Sequence, residues 1–106
     1  MDYKKTMDKL KTILNSEDLG RCHRTKIDGE TALFLELHTL KTKEAKRLIQ
    51  NVLLCTVGES VVACNHGYRR GDSNRRKIQE EIFSRRVISK DILPENPGMT
   101  YVKLAA

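Results

Sequence analysis

Seven residues, Ala32-Leu33-Phe34-Leu35-Glu36-Leu37-His38, alternate so regularly that they restrict the fold more than any other part of the chain. Strand side chains point to opposite faces in turn, so Leu33, Leu35 and Leu37 share one face and Phe34, Glu36 and His38 the other. A helical stripe follows, formed by Ala45, Leu48, Ile49, Val52 and Leu53, with Thr42 as its N-cap and Gly58 at its C-terminal end. Next comes Val61-Val62-Ala63-Cys64, a short apolar run of the kind that forms a buried parallel strand. Strand, helix and strand in that order require parallel neighbours joined by a right-handed crossover.

The flanks extend this unit in both directions. Tyr3, Met7, Leu10 and Leu14 recur at helical spacing, so residues 1–20 are expected to form an amphipathic helix or arm. Residues 21–31 are polar, with a turn at Asp28-Gly29, and read as a linker or a short edge strand. Beyond Cys64, a loop His66-Gly67-Tyr68-Arg69-Arg70-Gly71 leads to a helix over roughly 73–86, capped by Asp72 or Ser73, with Ile78, Ile82 and Phe83 as its apolar stripe. Val87-Ile88 and Ile92-Leu93 bracket a third strand, Pro94-Glu95-Asn96-Pro97-Gly98 supplies turn chemistry, and Met99 to Leu104 make a fourth. The expectation is an α/β fold: a compact β-α-β-α-β-β two-layer sandwich over residues 32–106, preceded by the N-terminal helix. Its mixed four-stranded sheet has the first three strands parallel and the last antiparallel beside the third. A chain of 106 residues has room for one core and one domain.

Charge narrows the partners. The formal net charge of +6 favours anionic partners over cationic ones. Residues 69–90 hold eight cations, Arg69, Arg70, Arg75, Arg76, Lys77, Arg85, Arg86 and Lys90, against Asp72, Glu80 and Glu81. That single stretch carries nearly all of the excess. Arg76–Glu80, Lys77–Glu81 and Glu81–Arg85 stand four apart and can pair along a helix, leaving Arg69, Arg70, Arg75 and Arg86 as candidates for phosphate contact. The opening Met1-Asp2-Tyr3-Lys4-Lys5 lacks the apolar stretch of a secretory signal, and no apolar run approaches the length of a membrane span. The three cysteines, Cys22, Cys55 and Cys64, cannot all pair within the chain and form no Cys-x-x-Cys motif, as expected for a reduced compartment. A cytoplasmic domain, monomeric by default, with no membrane partner and no metal site is the expectation.

Candidate chemistry gathers at one edge. Ligands of open parallel sheets meet the loops beyond the carboxyl ends of the strands. There His38 closes one strand and His66 the next, with Glu36 two residues before His38, about 6.6 Å along the backbone. A carboxylate beside an imidazole sets its tautomer and supports general acid–base work. The loop after His66 runs into a helix N-terminus, where backbone N–H groups favour a phosphate, and Gly67 and Gly71 allow close approach. Tyr68 can stack on a base or pack over the loop.

These residues carry a resemblance. Leu35-Glu36-Leu37-His38-Thr39 resembles the Leu-Asp-Leu-His-Gly signature of Smr (small MutS-related) domains. The following helix, Thr42-Lys43-Glu44-Ala45-Lys46-Arg47-Leu48-Ile49, is similar to the Thr-x-x-Glu-Ala helix of that family with one residue fewer between Thr42 and Glu44, and His66-Gly67-Tyr68-Arg69-Arg70-Gly71 to its His-Gly-x-Gly-x-Gly loop. Pro97-Gly98-Met99-Thr100 resembles its final turn and strand, and the match covers about 32–104. Glu36, Thr39 and Arg69 are departures, standing where the family has Asp, Gly and Gly.

The resemblance implies a sandwich similar to the C-terminal domain of translation initiation factor three. It also implies a domain that binds DNA or RNA, at ribosomes or on branched DNA. Binding would run through Gly67, Tyr68, Arg69, Arg70, Gly71, Arg75 and Arg86. The alternative it implies is an endonuclease with Glu36, His38 and His66 as catalytic residues. No cofactor is expected, although a divalent cation such as magnesium is compatible with cleavage. A non-catalytic adaptor for an acidic protein is the competing class.

Overall fold

The structure, a computed structural model, describes residues 1–67 and 72–106, with Asp72 described in its backbone alone. The elements are α1 (Tyr3–Ile13), α2 (Ser16–Leu19), β1 (Cys22–Ile27), β2 (Glu30–Glu36), α3 (Thr42–Cys55), β3 (Ser60–Asn65), α4 (Asp72–Glu81), β4 (Val87–Leu93) and β5 (Asn96–Leu104). The expected α/β class holds, on a sheet of five strands in the order β1-β2-β3-β5-β4 rather than four.

The additional strand is β1, so the edge-strand reading of residues 21–31 stands and the linker reading falls. Its sequence is polar because one long edge faces water. A two-residue turn fixes it, with φ of 52° at Asp28 and 81° at Gly29. Positive φ at both central residues matches the twist of a hairpin. Antiparallel pairing then runs from Ile27↔Glu30 to Cys22↔Leu35.

β2 and β3 pair in parallel, from Leu33↔Val62 to Glu36↔Asn65. β5 enters between β3 and β4, antiparallel to both. β2, β3 and β4 therefore point the same way, as expected, but the last strand separates the third from the second. The turn into β5 is only Pro94-Glu95, and the strand begins at Asn96.

α1, α3 and α4 lie on one face. Leu33, Leu35 and Leu37 are fully buried there, against Leu10 of α1, Leu48 and Val52 of α3, and Ile78 of α4. α1 is thus fixed to the domain rather than a loose arm. Buried Thr6 strengthens the attachment, its hydroxyl accepting from Val57 N–H at 3.0 Å and donating to the Asp2 carbonyl at 2.8 Å. The N-cap of α3 is Lys41, one residue before the expected Thr42, and the Glu44 carboxylate accepts its N–H at 3.2 Å. Among the described residues no helix is long and apolar enough to cross a membrane.

α4 stops at Glu81, well short of residue 86. The chain leaves the helix there and turns at residues 85–86. The Ser84 hydroxyl accepts Arg86 N–H at 3.2 Å, and the guanidinium enters a nest of carbonyls. Nε donates to Ala105 at 3.0 Å, one terminal nitrogen to Leu53 and Thr56, and the other to Gly58 at 2.8 Å. Leu53 belongs to the last turn of α3, whose carbonyls have no intrahelical donors, and a cation is favoured at that end of the dipole. Arg86 is therefore a structural pin between α3 and the end of β5, not the phosphate contact expected of it. Arg86→Ala is expected to lower the unfolding free energy in urea by about 2–4 kcal/mol, with Arg86→Lys recovering only part because an ammonium cannot span the four carbonyls.

Candidate functional site at the carboxyl edge of β2 and β3

β2 ends at Glu36 and β3 at Asn65, so the two chain exits lie side by side in register. The alternation that buries Leu35 turns Glu36 to the opposite face of the sheet. Leu37 N–H still bonds to the Asn65 carbonyl at 2.9 Å, and His38 follows in a turn just past the strand. The His38 ring meets Glu36 through Nδ1 and Oε1, while Asn65 Nδ2 donates to both carboxylate oxygens at 3.1 Å. Burial alone would raise the Glu36 carboxyl, but hydrogen bonds from His38 and Asn65 outweigh it and hold it below its ordinary 4.5. Because a carboxylate only accepts, Nδ1 carries the proton, and Nε2 of a neutral His38 is free to take one. The His38 side chain is 52% exposed, so that nitrogen is within reach of a ligand.

His66 has another role. It stands at the same edge, with its N–H bonded to the Gly98 carbonyl at 3.0 Å, but only 1% of it is exposed. Its Nδ1 donates to the Gly67 carbonyl at 3.0 Å, and its Nε2 meets the Thr100 hydroxyl at 2.9 Å. His66, expected among the catalytic residues, is thus buried with its ring nitrogens engaged, and the ring braces the end of β3 against β5. Gly67, the next residue, has φ of 83°, and a Cβ there would stand 3.1 Å from His38 Cβ. Glycine is needed for the backbone and for the space that His38 occupies.

Arg21 closes the other side, donating to the Thr39 hydroxyl at 2.7 Å. Thr39 has no positive φ, so the glycine of the family signature is not required at this position. Instead its hydroxyl brings in a cation beside His38. Asn74, in the first turn of α4, donates to the carbonyls of Leu37 and Leu40 at 3.4 and 3.2 Å. The basic helix thus begins next to the Glu36–His38 pair. Arg21 Nε and Asn74 Oδ1 are buried without partners. No periodic signal marks Arg21, Asn65 or Asn74; each is a single polar residue whose position comes from a partner distant in sequence.

Of the basic residues, Arg76 and Arg85 are exposed and Arg75 half-buried. Lys77 reaches Glu81 at 2.6 Å and Lys46 of α3 reaches it at 3.3 Å, so part of this charge ties the two helices together. Tyr68, Arg69, Arg70 and Gly71 lie outside the described residues. Among the described residues no three His, Cys, Asp or Glu side chains come together as a metal-binding group. Glu36 is a lone carboxylate among these groups, with both oxygens engaged by His38 and Asn65. The cysteines are buried as free thiols; burial above all pushes Cys22 up to about 11 and Cys64 up to about 12, so neither is a nucleophile at neutral pH.

Fold and edge together define a two-layer α/β domain with a polar pair at the carboxyl ends of two parallel strands. Searches against protein-family models, curated proteins and solved structures find no match to the chain.

The depressed Glu36 pKa has a consequence for stability. A folded value below the unfolded one adds stability that is complete above the unfolded value and is lost as pH falls through the folded one. Carbon-detected NMR titration should place the Glu36 midpoint below 4.5. Asn65→Ala should move it upward, and Glu36→Gln should remove this part of the acid sensitivity.

Proposed function

We propose that this chain is a nucleic-acid-binding domain of the Smr type that grips phosphates along the edge where β2 and β3 end. The observation carrying the reading is the Asn74 attachment, which sets the start of the basic helix beside Glu36 and His38. Local cations and an exposed imidazole at one edge are what a polyanion needs, and the net charge of +6 supports the same partner. Arg69, Arg70 and Arg75, with Arg76 and Arg21 at the margins, are the contact residues. Arg86 is excluded by its carbonyl partners. A cytoplasmic location suits the buried free thiols.

A second reading, phosphodiester cleavage, is favoured by the Glu36–His38 contact. Glu36 holds the ring with Nδ1–H toward the carboxylate, and Nε2 accepts the proton of the attacking hydroxyl or water. The bond from phosphorus to the leaving oxygen then breaks, and that oxygen takes a proton from the imidazolium or from water. His66 positions the end of β3 and takes no part in proton transfer.

Binding is tested by salt. If about four to six phosphates of a single strand are engaged, log K should fall against log salt with a slope of about −3 to −4. Arg70→Ala and Arg75→Ala should each flatten it by a little under one unit, and Arg86→Ala should not change it. Affinity that ignores salt would overturn the reading.

Cleavage is tested in single turnover on labelled RNA, duplex DNA and a branched junction. His38→Ala should slow it by about 100- to 10,000-fold while leaving affinity nearly intact. Glu36→Asp should also slow it, since the longer side chain is already in contact with the ring. Binding without cleavage by the wild-type chain would leave the domain a binder and reject the nuclease.

A further inference from the structure

We infer that the helix-free face of the sheet is a stacking platform for single-stranded nucleic acid, which would make an unpaired strand the substrate of the Glu36–His38 edge. This rests on the nucleic-acid reading above and adds which form of nucleic acid is bound and where its bases lie.

The helices that fill the core, α1, α3 and α4, all lie on the face of Leu33 and Leu35. Alternation sends Phe34 to the other side, and the strand register carries it across the whole sheet. His23 pairs with Phe34, Phe34 with Ala63, Ala63 with Tyr101, and Tyr101 with Asp91. One rung through all five strands thus carries three rings, with the buried Ala63 between two of them. Phe34 and Tyr101 are half-buried and His23 is exposed, with its ring 6.1 Å from that of Phe34. The chain has only five phenylalanines and tyrosines, so two on one solvent-facing rung is a concentration that core packing does not require.

The surroundings select the occupant. Beside Tyr101 the face sinks into a hollow of about 420 Å³ lined in part by Val61, Asp28, Asp91 and Lys103. A base lying on the Tyr101 ring lies beside a hollow whose lining includes the carboxylates of Asp28 and Asp91 and the ammoniums of Lys26 and Lys103, which can accept from and donate to its polar groups. Bases in a duplex are already stacked and present no free face; those of a single strand do. An amphipathic helix or a second copy of the chain would need a wide apolar patch, and here Glu36, Asn65, Asp91 and Lys103 interrupt it. The platform is also continuous with the candidate site. Glu36 and Asn65 follow Phe34 and Ala63 by two residues on the same face, about 6.6 Å further along the strands. A strand whose bases rest on the rings brings a phosphate to His38 and the start of α4.

The test uses the full chain with labelled RNA and DNA single strands of about twelve nucleotides and with the matching duplexes. Single strands should bind more tightly than duplexes, the RNA and DNA arms deciding which sugar is preferred. Phe34→Leu and Tyr101→Leu should each weaken single-strand binding about 5- to 100-fold, whereas Tyr101→Phe, which keeps the ring, should stay within about twofold. In the wild-type chain, ring-proton resonances of Phe34 and Tyr101 should shift on adding the single strand, a readout independent of whether a variant folds. Rings that do not move, leucine variants that bind normally, or equal affinity for duplex would overturn the platform while leaving phosphate binding in place. No affinity for any nucleic acid at low salt would instead overturn the reading beneath it.

Discussion

Three leucines at every second position, each fully buried, set the rest of this structure. A one-residue slip of β2 would move Leu33, Leu35 and Leu37 into solvent together, so the register is held by the whole core and not by any one contact. The same constraint fixes what the leucines do not cover. Phe34 and Glu36 face outward because their neighbours face inward, and Asn65 faces Glu36 because β3 is aligned to β2 by Val62 and Cys64. The carboxylate at the edge is thus placed to within a hydrogen bond by packing on the opposite side of the sheet.

Polar residues here divide into those used to build the fold and those left for solvent. Arg86 donates four hydrogen bonds to carbonyls drawn from three parts of the chain. His66 is bonded at both ring nitrogens, and Asn74 joins α4 to the turn after β2. Each satisfies backbone groups that would otherwise be stranded at an element end, where regular structure runs out of partners. Loop-rich sheet edges concentrate such groups, which is why structural and ligand-facing polar side chains mix so closely around Glu36.

What could be read from the sequence follows from the same division. Periodic elements were legible: β2, α3 and β3 by their apolar spacing, the β4–β5 pair by its turn chemistry, and the α/β class by their order. β1 was only half legible, because a strand with one exposed edge and few apolar residues is defined by its partner rather than by its own pattern. The Glu36–His38 pair could be found because its members are two residues apart. The burial of His66 beneath Thr100, the carbonyl nest of Arg86 and the approach of Arg21 to Thr39 could not, since each joins residues that become neighbours only after the sheet has assembled. Helical spacing could sort the arginines only by partners four residues away, whereas Arg86 is engaged by carbonyls from distant parts of the chain.

The position of β5 bears on when the domain can form. The last of the five strands to be synthesised is not an edge but an inner member, flanked by β3 on one side and β4 on the other. Until residues 96–104 have emerged, β3 and β4 each lack a neighbour, and the nest for Arg86 lacks the Ala105 carbonyl. An incomplete nascent chain therefore exposes two open strand edges to other chains, the condition under which sheets join wrongly. Completion of the sheet must wait for β5, and the domain gains its final cooperative stability only once residues 96–105 have cleared the exit tunnel.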